Sequence, residues 1–303
     1  MIMTKPEEIN IFQYLEARFN LSEGDRLYYS NLLKGYKGEQ LFVKLLSDQA
    51  ETWTILNDVI LEWNNATFQI DTLIIFRNKI YLFEIKNYEG DYYIENEIWY
   101  TISNKEIKNP LLQLTRCESL LRQLLQHYGF RIPIESYIIF INLEFTLFHA
   151  TTNLPIILPT QLKRYLTQLK TAHQSTSSNH KLAKLIATLR KDKSPYTKIP
   201  TYTYEDVKKG ITCSACSSFE IKIIKRQLIC MHCNYHEHID AAILRSTRQF
   251  KTLFPDKKIT TKIIYDWCQI IDSRKTIRRV LANNFTQLGH AKSIYYVDSS
   301  EIK

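Results

Sequence analysis

The sequence predicts an α/β fold followed by a small cysteine-rich module and a basic, mainly helical C-terminal module. Three observations support this prediction. Two apolar strands fill residues 68–87, segments with helical spacing lie on either side of them, and two Cys-X-X-Cys pairs occur after residue 209. A chain of 303 residues has room for two or three domains.

Three charged residues, Asp71, Glu84 and Lys86, interrupt the two apolar strands. Strands favour β-branched and aromatic residues, and a charge among them is costly unless it is paired or bound to a metal ion. Glu84 and Lys86 are two residues apart and therefore share one face of their strand. A half-exposed hairpin with a surface salt bridge is the alternative to a metal site.

The loop between these strands decides which face Asp71 occupies. If Asn78 and Lys79 form a two-residue hairpin loop, Asp71 lies opposite Lys86 and is a diagonal neighbour of Glu84. At a backbone separation of roughly 7–8 Å, both carboxylates can reach one hard cation. A three-residue loop would put Asp71 on the other face.

Two amphipathic segments flank the strands. The first, residues 39–50, opens with Glu39, and a glutamate in a first turn also stabilises a helix by opposing its macrodipole. The second opens with the sequence Asn-Pro-Leu-Leu-Gln, in which Asn109 suits the cap and Pro110 the first turn. Gln113 ends that sequence and alone would be an ordinary solvated residue.

Four short motifs follow one another in this region: Gly-X-X-Gly-Glu39, Ile-Asp71, Glu84-Ile-Lys86 and Asn-Pro-Leu-Leu-Gln113. Their order, over roughly residues 30–145, resembles the nuclease-related domain (NERD), a branch of the PD-(D/E)XK nuclease superfamily. Ile70 replaces the proline of the superfamily's name. The resemblance implies a restriction-endonuclease-like core, in which helices flank a mixed sheet.

The resemblance also implies roles for these residues. Glu39, Asp71 and Glu84 would form the acidic group, Lys86 its basic member, and Gln113 would orient the site. Asp71 and Glu84 would hold Mg²⁺ or Mn²⁺, because hard carboxylate oxygens suit these ions, and the metal would lower the pKa of a bound water. Lys86 would position that water or stabilise charge on the phosphate. The expected activity is metal-dependent hydrolysis of phosphodiester bonds in DNA.

Four cysteines, Cys213, Cys216, Cys230 and Cys233, form two Cys-X-X-Cys pairs on either side of a predicted hairpin in residues 219–228. This spacing is typical of a zinc ribbon and supplies four thiolates for tetrahedral Zn²⁺. Disulfides are the alternative, against which a cytosolic setting argues. Four thiolates leave no open coordination position, so we expect a structural zinc ion.

The last 60 or so residues are predicted to fold as helix, helix and hairpin, over residues 260–268, 272–281 and 285–297. This order resembles a winged helix-turn-helix. The second helix would direct Arg274, Lys275, Arg278 and Arg279 outward, and Lys292 would lie on the wing, where these residues would contact DNA. A solvated basic helix is the alternative.

Charge is unevenly distributed along the chain. Residues 1–110 carry 11 Lys and Arg against 17 Asp and Glu, whereas residues 111–303 carry 29 against 14. The basic remainder favours a nucleic acid partner, DNA before RNA, because basic side chains neutralise phosphates; general solubility is the alternative reason for the charge. The oligomeric state is not specified by the sequence.

Several classes of protein are disfavoured. The sequence contains no Gly-X-X-X-X-Gly-Lys, which argues against a P-loop NTPase. No apolar run is long enough to span a bilayer, and the N-terminus lacks the apolar region of a signal peptide. We therefore expect a cytoplasmic protein with no membrane partner.

The predicted organisation has four parts. They are a nuclease-related domain with an N-terminal extension (1–170), a linker with a short helix (171–208), a zinc ribbon (209–240) and a winged helix-turn-helix-like DNA-binding module (241–303). Two other functions stay open. One is a non-catalytic nucleic-acid-binding or regulatory protein on a nuclease-like scaffold, although a site that had lost its catalytic activity would have no physical reason to keep its charges together. The other is an RNA-directed nuclease.

Overall fold

A computed structural model describes residues 5–47, 53–173, 179–191 and 197–298. The described chain forms two units. The first comprises Ser30–Thr197, and the second comprises Lys5–Tyr29 together with Lys198–Lys303. The predicted four-part division is finer than these two units and stays a prediction, although residues 5–29 group with the C-terminal unit and not with the predicted nuclease domain.

The helices and strands are, in chain order, α1 (Glu7–Arg18), α2 (Glu23–Ser47), β1 (Thr54–Trp63), β2 (Ala66–Ile75), β3 (Ile80–Lys86), β4 (Gly90–Glu95), β5 (Ile98–Thr101), β6 (Glu106–Ile107), α3 (Pro110–His127), β7 (Ile134–Phe140), β8 (Phe145–Phe148), β9 (Ile156–Ile157), α4 (Pro159–Ala172), α5 (His180–Leu189), β10 (Ile221–Ile224), β11 (Gln227–Cys230), β12 (His236–His238), α6 (Ile239–Leu253), α7 (Thr261–Cys268), α8 (Arg274–Asn284), β13 (Thr286–Leu288) and β14 (Tyr295–Val297), with a 3₁₀ turn at Ala291–Ser293 before the last strand. Among the described helices, none combines the length and the apolar content needed to cross a bilayer.

A five-stranded sheet with the order β1-β2-β3-β7-β9 forms the centre of the first unit. β1, β2 and β3 are antiparallel, whereas β7 runs parallel to β3 and β9 parallel to β7, so the sheet is mixed. Leu121 of α3 and Ile186 of α5 pack in the core on one face, and Phe42 of α2 and Leu166 of α4 pack in the core on the other. The predicted α/β class with a mixed sheet and flanking helices is confirmed.

A second sheet, with the order β6-β5-β4-β8, was not predicted. Three of its strands lie between β3 and α3 in the sequence, and the fourth follows β7. Trp99 of β5 is almost completely buried and stacks on Phe140 of β7, which joins this small sheet to the main core. Its strands are short and half-exposed, and they therefore give only a weak pattern in the sequence.

The hairpin between β2 and β3 has a register that differs from the predicted one. Phe76 N–H donates to the Lys79 carbonyl at 2.9 Å, so the two-residue loop consists of Arg77 and Asn78. The predicted loop at Asn78 and Lys79 is wrong because Phe76 is fully buried and Arg77 is exposed, which extends the strand pairing to Phe76. The loop is still even in length, as the predicted common face of the charges requires.

Helix α2 begins well before the position that the sequence suggested. The Ser22 hydroxyl accepts the Asp25 amide at 3.1 Å and donates to the Asp25 carboxylate at 2.6 Å, which caps the helix and starts it at Glu23. Glu39 is therefore in the middle of the helix and not in its first turn. The predicted end at residue 50 lies outside the described residues.

Two glycines inside α2 have different surroundings. A Cβ atom added to Gly38 would lie 2.8 Å from the Asn87 Cβ and 3.3 Å from Ile141, whereas one added to Gly35 would meet nothing within 4 Å. Gly38 thus permits the close approach of α2 to the end of β3, and the Asn87 amide donates to the Lys34 carbonyl at 2.8 Å at this crossing. This requirement explains why a helix interior contains a residue of poor helix propensity.

We expect opposite effects when these two glycines are replaced by alanine. Gly38→Ala should lower the free energy of unfolding of the first unit by about 1–3 kcal/mol, because the methyl group overpacks the crossing. Gly35→Ala, the matched control, should raise it by up to about 1 kcal/mol through helix propensity. Urea unfolding followed by circular dichroism measures both. Equal stabilisation by both substitutions would show that the close approach has no energetic role.

Helix α5 lies in the segment predicted to be a linker. Its Leu182 and Ile186 are completely buried in the core of the first unit, and the Lys191 N–H donates to the Ile60 carbonyl of β1 at 2.9 Å. The short helix is therefore part of the first unit's core. The polar residues on either side of α5 hid this burial in the sequence, and residues 174–178 and 192–196 lie outside the described segments.

The second unit contains a three-stranded antiparallel sheet, β10-β11-β12, followed by helices α6, α7 and α8 and the hairpin β13-β14. Thr260 caps α7 and Ser273 caps α8 through side-chain oxygens. Helix α6 was not predicted. Ile259, between α6 and α7, forms an isolated bridge with Tyr296 and thereby adds a third short segment to the hairpin.

Candidate functional site

Glu84 and Lys86 lie at the end of β3, the central strand of the main sheet. Lys86 Nζ donates to Glu84 Oε1 at 2.7 Å, and the Gln113 amide of α3 donates to the same oxygen at 2.5 Å. Lys86 Nζ also contacts Gln113 Oε1 at 3.2 Å. Because Asn109 accepts the Leu111 amide and caps α3, Gln113 comes at a fixed position in the first turns of that helix.

Asp71 lies on β2, where the hydrogen-bond ladder to β3 ends. The last pair in the ladder is Thr72 with Phe83, and continuing the register places Asp71 opposite Glu84, not opposite Lys86 as predicted. Beyond that pair, the Ile85 amide donates to Asp71 Oδ2 at 2.7 Å. The carboxylate thus accepts a backbone amide hydrogen of β3 and is held beside Glu84.

Glu39 of α2 lines the same cleft as these residues. The cleft has a volume of about 460 Å³. It is lined by Asn31, Lys34, Gly35, Glu39, Asp71, Glu84, Ile85, Lys86, Asn87, Tyr88, Glu89, Tyr92 and Ile107. Of the five catalytic residues predicted from the sequence, four line the cleft, and the fifth, Gln113, holds two of the four in place through hydrogen bonds.

The acidic residues of the cleft repel one another. Burial raises the pKa of Asp71 well above its usual range, and the charges of Glu84 and Glu39 raise it further. Burial likewise raises the pKa of Glu39 to about 7, with added contributions from Asp58 and Glu84. A cation bound between these groups would favour their ionised forms and displace the protons.

Lys86 is the lysine of the cleft that pairs with Glu84. Its burial alone would lower its pKa, but the charges of Glu84 and Asp71 and the hydrogen bond to Glu84 outweigh burial and raise the pKa above the ordinary value for lysine. Lys86 therefore stays protonated at neutral pH. It is suited to donate hydrogen bonds to an anion and unsuited to act as a general base.

The carboxylates of the cleft could hold a divalent cation. Glu84 is 2% exposed, and its Oε2 atom is buried without a hydrogen-bond partner among the described residues. An orphaned carboxylate oxygen of this kind is costly unless a cation or water binds it, and hard oxygen ligands suit Mg²⁺ and Mn²⁺. Glu84 and Asp71 would hold the ion, with Glu39 as the third carboxylate of the cleft. The oxygens of these three carboxylates do not all lie within 4.8 Å of one another in the described structure.

Asp58 is a residue of this region that the sequence reasoning missed. Its neighbours pair with β2 as Asn57 with Thr72 and Val59 with Ile70, which leaves Asp58 opposite Asp71 but outside the ladder. Asp58 has a left-handed backbone, with φ of 53°, and accepts a hydrogen bond from Gln69 at 2.7 Å. An acid within the apolar strand β1 was the signal that could have identified it.

The four cysteines of the second unit form one cluster. The Sγ atoms of Cys213, Cys216, Cys230 and Cys233 all lie within 4.8 Å of one another, and they form the one such group of three or more ligands found among the described residues. Cys213 and Cys233 are 3.6 Å apart, and Cys216 and Cys230 are 3.5 Å apart. These distances exceed a disulfide bond and are near the roughly 3.8 Å expected for thiolates around tetrahedral zinc. The cluster could therefore bind Zn²⁺.

The basic residues predicted on α8 have unequal surroundings. Arg274, Lys275 and Arg278 are exposed, with the Arg274 guanidinium 4.8 Å from the Tyr265 ring centroid. Arg279 is also exposed, but it forms a 2.6 Å ion pair with Asp240. Ile277, Val280 and Leu281, on the other face of the helix, are buried. The side chain of Lys292 lies outside what the structure describes.

Comparison with known proteins identifies part of the chain. Residues 34–141 match the family described as nuclease-related domain (NERD). The chain therefore contains a nuclease-related domain, which confirms the family resemblance read from the four motifs.

Two solved structures are similar to the chain. Protein VC1899 from Vibrio cholerae has 16% sequence identity and a TM-score of 0.28, over 59% of each chain, so that less than two thirds of that protein is covered. The small subunit (R.BspD6I2) of the heterodimeric restriction endonuclease R.BspD6I has 14% identity and a TM-score of 0.22, over 60% of this chain and 87% of that one. A search of curated proteins found no match.

Proposed function

We propose that this protein is a divalent-metal-dependent nuclease that hydrolyses phosphodiester bonds in DNA, with a PD-(D/E)XK-type site formed by Glu39, Asp71, Glu84, Lys86 and Gln113. The observation that carries the proposal is the state of Glu84. One of its oxygens accepts hydrogen bonds from Lys86 and Gln113, while the other is buried without a partner among the described residues. Such a group is explained by an ion bound in the cleft.

Each residue has a role that follows from its position. Asp71 and Glu84 would hold Mg²⁺ or Mn²⁺, which when bound polarises a phosphoryl oxygen and acidifies a water molecule. Protonated Lys86 donates to the phosphate and stabilises the charge that develops there. Gln113 fixes Glu84 and Lys86 in place, and Glu39 adds negative charge to the same cleft.

The second unit supports the choice of nucleic acid as substrate. A structural zinc ion bound by the four cysteines would complete a zinc ribbon, since β10, β11 and β12 carry or adjoin the ligands. Helices α6, α7 and α8, followed by the hairpin and its bridge to Ile259, have the element order of a winged helix. We propose that exposed Arg274, Lys275 and Arg278 bind DNA phosphates, with Lys292 on the wing.

The test is a cleavage assay on supercoiled and single-stranded DNA and on RNA of matched sequence, with Mg²⁺, Mn²⁺ or a chelator. Wild type should cleave DNA only with metal, Lys86→Ala should be inactive, and exposed Lys105→Ala, the matched control, should keep full activity. Metal-dependent cleavage by Lys86→Ala would refute the proposed site. DNA binding without cleavage under any metal would favour the non-catalytic alternative, and cleavage of RNA alone would favour the RNA-directed one.

Salt-dependent binding provides a test of α8. Simultaneous replacement of Arg274, Lys275 and Arg278 by alanine should weaken binding of duplex DNA and reduce the slope of log K against log salt by about 1 per residue. Arg279→Ala should have a smaller effect than Arg278→Ala, because Asp240 already neutralises Arg279. Fluorescence anisotropy at several salt concentrations measures both quantities. An unchanged slope in the triple variant would exclude α8 from the DNA contact.

A further inference from the structure

A polar pocket of about 180 Å³ lies within the second unit, between α1, the loop of the first Cys-X-X-Cys pair and α6. Two arginines, Arg18 and Arg245, line it, and no described Asp or Glu does. Cys213 of the cysteine cluster also lines the pocket, and its other polar side chains belong to Gln13, Tyr14, Thr212, Ser214, Ser217 and Gln249. A lining that combines two guanidinium groups with hydroxyl and amide groups is suited to an anion.

Arg18 is a buried cation without a described counter-ion. It is 4% exposed, and it donates to the Lys208 carbonyl at 2.9 Å and to Gln249 Oε1 at 3.1 Å. Its guanidinium carbon lies 4.4 Å from the Trp267 ring centroid. Two of the five N–H groups of the guanidinium are thus satisfied by neutral oxygens, and no described carboxylate forms an ion pair with it.

The charged form of Arg18 is disfavoured by its surroundings. Burial lowers its pKa to about 10, and the nearby charge of Arg245 acts in the same direction, while Cys268 partly opposes both. A buried cation that is also repelled by a second arginine is costly in the folded state. An anion placed between the two guanidinium groups would offset that cost.

Arg245 is held in a way that leaves one buried nitrogen without a hydrogen bond. Its Nε and Nη2 atoms donate to the Glu237 carboxylate at 3.0 and 2.6 Å, and Nη2 also donates to the Thr212 carbonyl at 2.8 Å. The remaining nitrogen, Nη1, is buried without a partner among the described residues. Glu237 therefore fixes the orientation of Arg245 but leaves this donor without a hydrogen bond.

We propose that this pocket binds a phosphate group, with Arg18 and Arg245 as its main donors. Planar guanidinium groups bind phosphate oxygens in pairs, and two such groups can bind different edges of one tetrahedral ion. The volume is below the roughly 300 Å³ at which pockets begin to enclose drug-sized molecules, so it suits a phosphate group and not a whole nucleotide. The group is either free inorganic phosphate or the terminal phosphate of a nucleic acid strand.

Calorimetric titration of the full-length protein with inorganic phosphate tests the site directly. Ser214 is exposed and lines the pocket, so Ser214→Asp would place a negative charge at its edge, and Ser214→Asn offers the same shape without the charge. Wild type and Ser214→Asn should bind phosphate with similar affinity in the millimolar range. Ser214→Asp should bind at least about tenfold more weakly, because the added negative charge repels the phosphate.

A second titration identifies the source of the phosphate. A single-stranded oligonucleotide with a 5′-phosphate should bind more tightly than its 5′-hydroxyl counterpart if the pocket takes strand ends. Equal binding, together with a positive result for inorganic phosphate, assigns the pocket to the free ion. Both oligonucleotides are titrated in an Asp71→Asn background, so that cleavage does not change the ligand.

Two results would overturn the proposal. The first is a failure of the titrations with inorganic phosphate: either wild type does not bind phosphate in the millimolar range, or wild type and Ser214→Asp bind it equally. The other involves Arg18→Gln, which should weaken phosphate binding while the zinc content stays unchanged. If that variant instead lost zinc and bound phosphate as wild type does, Arg18 would serve to balance the charge of the thiolates. Zinc content is measured for every variant, and circular dichroism verifies that each is folded.

Discussion

Asp71→Asn is expected to abolish metal-dependent DNA cleavage and, at the same time, to stabilise the protein when no metal is bound. The asparagine keeps an oxygen that can accept the Ile85 amide hydrogen, so the local backbone contact persists. It removes the carboxylate whose pKa burial and the charges of Glu84 and Glu39 raise. Both effects come from one change, which would separate the proposed metal-binding role of Asp71 from its structural role.

The size of each effect of Asp71→Asn, on activity and on stability, can be estimated separately. Activity should fall by more than roughly 100-fold, since even outer-shell partners of metal ligands cost 10- to 100-fold when they are lost. The free energy of unfolding without metal should rise by about 0.5–2 kcal/mol, the usual gain when a strained functional group is neutralised. Mn²⁺ should raise the melting temperature of wild type but not of Asp71→Asn.

The same substitution at an exposed site is the control for this prediction. Asp91→Asn, on β4 of the same unit, changes an exposed carboxylate and should alter neither activity nor the response to Mn²⁺. A destabilised Asp71→Asn variant that still cleaves DNA and still responds to Mn²⁺ would show that the divalent ion binds elsewhere.

Loss of the cysteine cluster is expected to unfold the β10-β11-β12 sheet. Cys230→Ala removes a thiol of the cluster that is 3% exposed and lies on the central strand of that sheet. A three-stranded sheet of this size has little core of its own and needs a metal ion or another cross-link. Zinc in isolated finger peptides contributes roughly 10–16 kcal/mol at neutral pH, so its loss exceeds what the remaining contacts can replace.

The measurements are zinc content and limited proteolysis. Wild type should contain one zinc ion per chain and Cys230→Ala none, with new cleavage between residues 213 and 238 in the variant. Cys268→Ala is the matched control, because this thiol is completely buried but outside the cluster. It should keep its zinc and its resistance to protease in that segment.

The disulfide alternative makes the opposite prediction. A reducing agent would then open the segment to protease, and a strong chelator would have no effect. If the cysteines bind zinc, the chelator should open the segment to protease and the reducing agent should not. Resistance to the chelator together with sensitivity to the reductant would contradict the zinc assignment.

The local motifs were the most predictable part of the site. Glu84-Ile-Lys86 and Gln113 depend on the two-residue period of a strand and on a capped helix, both of which are visible in a short window of sequence. The register of the hairpin depends instead on whether Phe76 is buried, which the sequence alone does not specify. A shift of the loop by one position moved the partner of Asp71 from Lys86 to Glu84 without changing its face.

Other features depend on contacts between distant segments. The sequence predicted a helix that opens with Glu39, but Gly38 lies inside α2 and is required by the approach of Asn87, about 50 residues later in the chain. Leu182 and Ile186 looked like part of a linker because the core that buries them comes from earlier strands. Asp58 lies opposite Asp71 at a left-handed backbone position, and the sequence gives no reliable signal of that conformation when the residue is not glycine.

The order of the two units along the chain has a consequence for biosynthesis. The second unit needs Lys5–Tyr29 as well as Lys198–Lys303, whereas the first is encoded without interruption between them. Domains generally fold as units while the chain is being made. The cleft with its carboxylates can therefore form on the ribosome before the cysteine-rich segment has been translated, whereas α1 can pack against its partners only after the residues that follow Lys198 have been made.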